Sequence, residues 1–152
     1  MIWNLRDLEL AADPSPVAGH AFSGRSLTRE AGAKLTGLGV YELPPGEKHW
    51  PYHFELGEEE WLIVIEGEVV LRTPEGERTM VAGDVACFVA GAAGAHTVRN
   101  DSGGRARFAM PSREAHFGAT IYPDSGKFSI GGPGFQHRGY LGDAVPYWEG
   151  EA

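Results

Sequence analysis

One cysteine, Cys87, stands in a chain of 152 residues, so no internal disulfide can form and a cysteine-based zinc site is excluded. Its neighbours in the run 85–89 are mostly apolar, and the expectation is a buried thiol rather than a reactive one. Positive charge is scarce. Thirteen basic residues against 21 acidic ones leave a formal net charge of -8, and no Lys/Arg cluster offsets it locally. That balance repels phosphate backbones and anionic lipid, so neither nucleic acid nor a membrane surface is an expected partner. Long hydrophobic runs are missing as well. The longest strongly apolar stretch, 61–65, is far too short to span a bilayer. Residues 1–7 carry charge where a secretion signal needs an apolar core, which makes the expected location cytoplasmic.

What the chain has in abundance is turn formers, with 22 Gly and 10 Pro. Frequent turns leave little room for long helices and favour an all-β architecture. Hydrophobic residues at 42% and charged residues at 22% are those of an ordinary globular domain. No repeat and no composition break marks a second domain. Residues 1–34 read as an irregular arm ending in one or two short strands, 35–122 as the core, and 123–152 as an extension. Within the core, strands are expected at 38–43, 52–56, 60–65, 68–73, 77–81, 85–89, 96–99, 105–110 and 119–122. Short hairpins such as 66–67, 74–76 and 82–84 join several of them, and no segment is long enough for the crossover helices of a parallel sheet. The result is an antiparallel sandwich or barrel.

Side chains in a strand alternate faces, so His53 and Glu55 project together while Tyr52 and Phe54 project the other way. Glu60 shares a face with Leu62 and Val64, which puts a carboxylate at the end of an apolar inner row. A carboxylate buried there costs several kcal/mol unless it is paired, protonated or bound to a cation. Two imidazoles and two carboxylates converging on one point would meet that cost with a divalent metal, and such donors suit Fe, Mn, Ni, Zn or Cu. From spacing alone, a scatter of surface residues remains an equal reading.

The segment 45–67, with Gly46, His53, Glu55, Glu60 and Gly67 in order, resembles the first motif of the cupin family. The segment 83–100, with Gly83, Gly91, His96 and Asn100, resembles the second. More narrowly, 50–54 with Glu59 and Glu60, 94–96 and 122–127 are similar to a subgroup of small bacterial cupins of the single-domain, conserved-barrel type. The resemblance implies a double-stranded β-helix, a jelly-roll-like barrel, with the N-terminal arm and a C-terminal wrap around it. It implies a divalent metal ion (Fe, Mn, Ni or Zn) held by His53, Glu55, Glu60 and His96, and a homodimer. Three departures stand out. Glu55 replaces a second histidine of the first motif, Val89 replaces a proline of the second, and the loop before His96 is two residues longer. Only the first alters chemistry, because two carboxylates and two neutral imidazoles around a divalent ion form a formally neutral centre.

Function classes stay open at this point. A metal-dependent oxygenase, isomerase or decarboxylase of a small polar molecule is the first. A metal-free isomerase or epimerase using Glu55 or Glu60 as catalytic proton carrier is the second, and a non-catalytic ligand-binding or sensing module is the third. His49 reads as an exposed loop residue, and His20 and His116 as surface or satisfied polar groups. Trp50, Tyr52 and Phe54 are as well explained by packing as by substrate stacking. The aromatic and Gly/Pro-rich stretch 131–151 cannot bury its rings alone, so it is expected to pack on the barrel or a partner subunit. His137 and Arg138, within it, are read as surface residues in preference to the cavity mouth.

Overall fold

The computed structural model describes every residue except 14, 16, 114–116, 143 and 152, so His116 lies outside the described residues. In chain order the strands begin with β1 (Ala11–Asp13), β2 (Phe22–Ser26), β3 (Thr36–Leu43), β4 (Phe54–Glu55), β5 (Glu60–Glu66), β6 (Glu68–Thr73) and β7 (Gly76–Val81). They continue with β8 (Val85–Phe88), β9 (Thr97–Arg99), β10 (Ala106–Arg113), β11 (Gly118–Tyr122), β12 (Lys127–Gly132) and β13 (Phe135–Tyr140). A six-stranded sheet has the order β1-β2-β3-β10-β5-β8, a four-stranded one β13-β12-β11-β4 and a three-stranded one β7-β6-β9. The paired strands described are all antiparallel. Single bridges Lys48↔Arg99 and His53↔His96 run segment 48–55 alongside β9, so the two smaller sheets join into one wall.

The core between the walls follows from alternation. Leu62 and Val64 on β5 and Ala106, Phe108 and Met110 on β10 face Val69 and Leu71 on β6 and Val98 on β9. Each of these side chains larger than alanine, once fully buried, contributes about 1.5–3 kcal/mol from apolar area alone. The hairpin between β5 and β6 turns at Gly67, whose φ of 74° and close approach to the Arg105 carbonyl oxygen leave no room for a Cβ. This is the all-β, antiparallel barrel expected from the strand pattern, in the jelly-roll form that the resemblance implied. Among the described residues, no helix is long and apolar enough to cross a membrane.

Outside the barrel, the N-terminal arm covers part of the six-stranded sheet. Trp3, Leu5, Leu8 and Leu10 pack with Leu27, Leu38, Val40, Ile65 and Ala109 in a second apolar cluster. A short helix, α1 (Leu27–Ala31), belongs to this layer and was not legible in the sequence; the Ser26 hydroxyl caps it and Gly32 ends it at a φ of 67°. Beyond Tyr122 the chain forms the hairpin β12–β13 and not merely a wrap, extending the four-stranded sheet.

Cys87 corrects the expectation of a buried thiol: it is exposed. On β8 the inward positions are Ala86 and Phe88, so Cys87 faces out beside its cross-strand partner Trp61. β8 is also the edge of the sheet, and the residues of the covering layer reach only as far as Ile65 on β5.

Candidate metal centre

Two backbone hydrogen bonds set the two imidazoles side by side. The His53 N–H donates to the His96 carbonyl at 3.1 Å, and the His96 N–H donates back to the His53 carbonyl at 2.8 Å. Their ring centroids are 4.7 Å apart. The longer loop before His96 is fastened by the Gly91 N–H, which donates to the Glu55 carbonyl at 2.7 Å. At Gly94 a Cβ would run into the Val89 carbonyl, so the tight turn that delivers His96 needs glycine. Phe88 then stacks on the His96 ring at 3.6 Å, with an interplanar angle of 7°.

Each imidazole has its tautomer fixed by a carbonyl. His53 Nδ1 lies 2.8 Å from the Pro51 oxygen and His96 Nδ1 lies 2.9 Å from the Gly94 oxygen. A carbonyl only accepts, so both Nδ1 atoms carry hydrogen and both Nε2 atoms present lone pairs. Burial keeps the rings neutral: it lowers the pKa of His53, and it takes His96 down to about 4, with the charge of His53 adding to the effect.

Glu60 opens β5 and points inward ahead of Leu62. Its Oε2 lies 3.5 Å from His96 Nε2 and 3.8 Å from His53 Nε2. Neither His96 Nε2 nor Glu60 Oε2 has a hydrogen-bond partner, although both atoms are buried. Burial first, then the charges of Glu55 and Glu58, push the Glu60 carboxyl up to about 7. The three donor atoms all lie within 4.8 Å of one another. Bonds of about 2.0–2.2 Å to nitrogen and carboxylate oxygen require donors roughly 3–3.5 Å apart, so a small adjustment would let this set hold a divalent ion. Lone pairs aimed at a carboxylate oxygen with nothing between them are what a cation would satisfy.

Glu55 lies beside this group and outside it. Its Oε1 is 4.0 Å from His53 Nε2, and both its oxygens are 2.9 Å from the Thr120 hydroxyl, which donates to it. Burial pushes this carboxyl up to about 7 as well, against the Thr120 hydrogen bond, which lowers it. A cavity of about 210 Å³ opens onto these groups, lined by Trp50, Pro51, His53, Glu55, Glu60, Thr120 and Tyr122. Its volume is that of about seven water molecules, room for one small organic molecule. The structure therefore gathers His53, Glu60 and His96 at one point and leaves Glu55 facing the same cavity on the Thr120 side.

Thr120 and Tyr122 were not singled out as site residues from the sequence. Both lie on β11, and only the pairing Thr120↔Glu55, 65 positions apart, brings them to the site. The Tyr122 ring stacks at 6.1 Å from the His53 ring. His49 is a correction: it is 3% exposed, not a surface loop residue. Its backbone N–H bonds to the Val98 carbonyl, which draws the residue inward among Phe22, Tyr41, Trp50 and Phe108. Its Nε2 has no hydrogen-bond partner, and burial lowers its pKa well below the usual value. His20 Nδ1 bonds to the His49 carbonyl at 2.9 Å, and Tyr52 lies under the Arg72 guanidinium on the outer side of the wall. His137 faces Phe128, away from the site row, whereas Arg138 is on the site side of β13.

Comparison with known proteins agrees with this architecture. The family model described as the cupin domain matches residues 39–111, from β3 through β10. A solved structure from Silicibacter pomeroyi, described as a sugar phosphate isomerase of the cupin superfamily, aligns with a TM-score of 0.82 at 23% identity, over 97% of this chain and 98% of its own. A protein from Acidithiobacillus ferrooxidans, provisionally described as a sugar phosphate isomerase, aligns with a TM-score of 0.84 at 20% identity, over 93% of this chain and 91% of its own. A polyketide cyclase from Streptomyces resistomycificus aligns at 0.58 and 20% identity, over 74% of this chain and 78% of its own. At these identities the structures speak for the fold alone. Comparison with curated proteins gives no match. In its two motifs, its jelly-roll barrel and the match across its core, the chain is similar to the cupin superfamily.

Proposed function

We propose that this protein is a metal-dependent isomerase of a small polyhydroxy carbonyl compound, with His53, Glu60 and His96 holding one divalent ion and Glu55 carrying the proton. The observation that supports it is the pairing of two unlike features in one cavity. Three donor atoms converge with buried lone pairs unpartnered. Beside them stands a fourth group, Glu55, whose carboxyl titrates near 7. A base poised near neutral pH is what proton abstraction beside a carbonyl asks for.

A bound divalent ion would supply Lewis acidity toward a substrate oxygen. The chain does the rest. Glu55, ionised, takes a proton from the carbon beside the carbonyl and returns it to the former carbonyl carbon, while the proton of the neighbouring hydroxyl passes to the former carbonyl oxygen, so that hydroxyl and carbonyl exchange places. Thr120 fixes the carboxylate by its 2.9 Å hydrogen bond and keeps its affinity for the proton from rising further. Trp50 and Pro51 wall the cavity on one side and Tyr122 on another, which restricts water around the reacting carbons. The two full-length neighbours described as sugar phosphate isomerases fit this reading over oxygenation or decarboxylation. A metal-free isomerase rests on the same carboxyl pair, and activity that survives chelation would select it.

The test combines metal analysis and proton exchange. Near-stoichiometric metal in the purified protein, lost when His53→Ala and His96→Ala are combined, is expected by mass spectrometry. Solvent deuterium should enter the carbon beside the carbonyl in a panel of aldoses, ketoses and their phosphates. In Glu55→Gln that exchange should fall at least a hundredfold while the metal stays. Metal-replete protein that exchanges no proton on any of the panel refutes the isomerase reading.

A further inference from the structure

The four-stranded sheet runs outward from the metal centre, and its register carries one polar row along the site side. Glu55 on β4 pairs with Thr120 on β11, Thr120 with Ser129 on β12, and Ser129 with Arg138 on β13. Directly paired residues share a face, and the Thr120–Glu55 hydrogen bond shows which one. A second row on the same face runs from Tyr122 to Lys127 to Tyr140. Its sidedness is independently marked, because the Lys127 ammonium lies 5.7 Å from the Tyr122 ring, and that ring stacks on His53. The opposite face carries Ile121, Phe128, Ile130 and His137. The site face is thus a hydroxyl-bearing shelf that carries Lys127 on β12 and Arg138 on the outermost strand, β13.

In a chain of net charge -8, many of the cations are held by carboxylates. Arg25, Arg72, Arg99, Arg105 and Arg107 are all engaged by carboxylates. Among the described residues, neither the Arg138 nor the Lys127 side chain has a hydrogen-bond or ion-pair partner, a state they share with several other basic side chains. The charge of Arg138 nevertheless acts at the site, since it opposes the upward pull of burial on the Tyr122 phenol. Three strand spacings of about 4.8 Å separate the Glu55 and Arg138 backbones by about 14 Å. A long guanidinium side chain rising from the same face can lean across part of that span, leaving room for a small carbon chain.

We propose that Arg138 and Lys127 form a subsite for the anionic end, phosphate or carboxylate, of an extended polyol whose carbonyl end lies at His53, Glu60 and Glu55. The proposal rests on the isomerase reading for the identity of the far end, and on the sheet register for the subsite itself. Thr120 and Ser129 offer hydroxyls along the shelf between the two ends. An acidic protein whose candidate centre holds two carboxylates repels anions on average, so an anionic substrate needs local cations of this kind to be admitted. A guanidinium offers a planar fork to phosphate or carboxylate and an ammonium a point charge, a combination suited to either anion.

Binding can be measured by calorimetry on the purified protein with its metal, using glucose, glucose 6-phosphate and glucuronate, which differ only at the terminal carbon. At least one of the anionic sugars should bind tenfold or more tightly than glucose, and which one identifies the anion as phosphate or carboxylate. That advantage should fall to within about twofold in the double variant Lys127→Gln and Arg138→Gln, and persist in Arg78→Gln, which removes a charge on β7. The proposal is overturned if neither anion binds better than glucose, or if the advantage survives in the double variant. Metal content and deuterium exchange on the same samples separate the two ideas. Exchange that proceeds with no anion preference sinks the subsite alone, and metal-replete protein that keeps an anion preference dependent on Arg138 and Lys127 but exchanges no deuterium sinks the isomerase alone.

Discussion

Lowering the pH should weaken metal binding by an amount that counts the carboxylates holding the ion. Glu60 is pushed up to about 7 in the metal-free protein, while His96 is held down at about 4, so between pH 7.5 and 5.5 the carboxylate titrates and that imidazole does not. A metal must displace any proton on its ligand. With a pKa near 7, the ionised fraction of Glu60 falls from about three-quarters at pH 7.5 to about 3% at pH 5.5, so apparent affinity should drop about 25-fold, or about 1.9 kcal/mol. Glu55, also near 7, would multiply this to roughly 600-fold if it too is a ligand. The sign is fixed: protons compete with the ion, so affinity rises with pH and levels off above about 8. Competition against a chelator of known affinity, with Zn or Mn in buffers from pH 5.5 to 7.5, gives the slope directly. A fall of about 25-fold assigns His53, Glu60 and His96 as the ligands with Glu55 free for proton transfer, and a fall of several hundredfold makes Glu55 a fourth ligand. An affinity constant to within about threefold would refute the reasoning, because it would mean that no buried carboxyl loses a proton when the metal enters.

Three further outcomes follow from the same geometry. In chelated protein Glu60→Gln should be stabilising at pH 8 by about 1–3 kcal/mol and nearly neutral at pH 4.5, because a carboxyl raised from its ordinary value to about 7 favours the folded state fully below 4.5 and loses that contribution as pH rises through 7; urea midpoints at the two pH values measure it, and equal shifts would contradict it. Gly94→Ala should destabilise the fold by about 2–4 kcal/mol and loosen metal, since the new Cβ meets the Val89 carbonyl in the turn that delivers His96; thermal melts and metal retention read both, and an unchanged melt would show that the loop adapts freely. Cys87, exposed on β8, should react with a thiol reagent in the folded protein within about tenfold of its rate in denaturant; reaction only on unfolding would mean that something covers this face in solution, and the oligomeric state would then be the next measurement.

Alternation along the sequence was enough to read an antiparallel all-β fold and to set the candidate side chains on their faces, and the two motifs added the resemblance to a cupin barrel. Alternation with a period of two is a local property, so the inward set Leu62 and Val64, and Glu60 ahead of them, could be read along β5 without knowing its neighbours. The same rule put His53 and Glu55 on one face, and the turn residues marked most of the hairpins of the core. Tertiary structure decided which neighbours those faces meet. Thr120 becomes the partner of Glu55 only through a pairing 65 residues apart, and no local pattern encodes that register. His49 is drawn into the aromatic interior by its backbone bond to Val98, a contact between segments that the Pro-rich approach to His53 does not announce. Cys87 sits on a strand whose pattern looked buried on both faces, and it is exposed because β8 is an edge and the covering layer reaches only as far as Ile65. The β12–β13 hairpin escaped notice because its glycines and exposed aromatics mask alternation. Pairing with β11 is what makes those residues a sheet, and what sets Arg138 on the face that leads to the site.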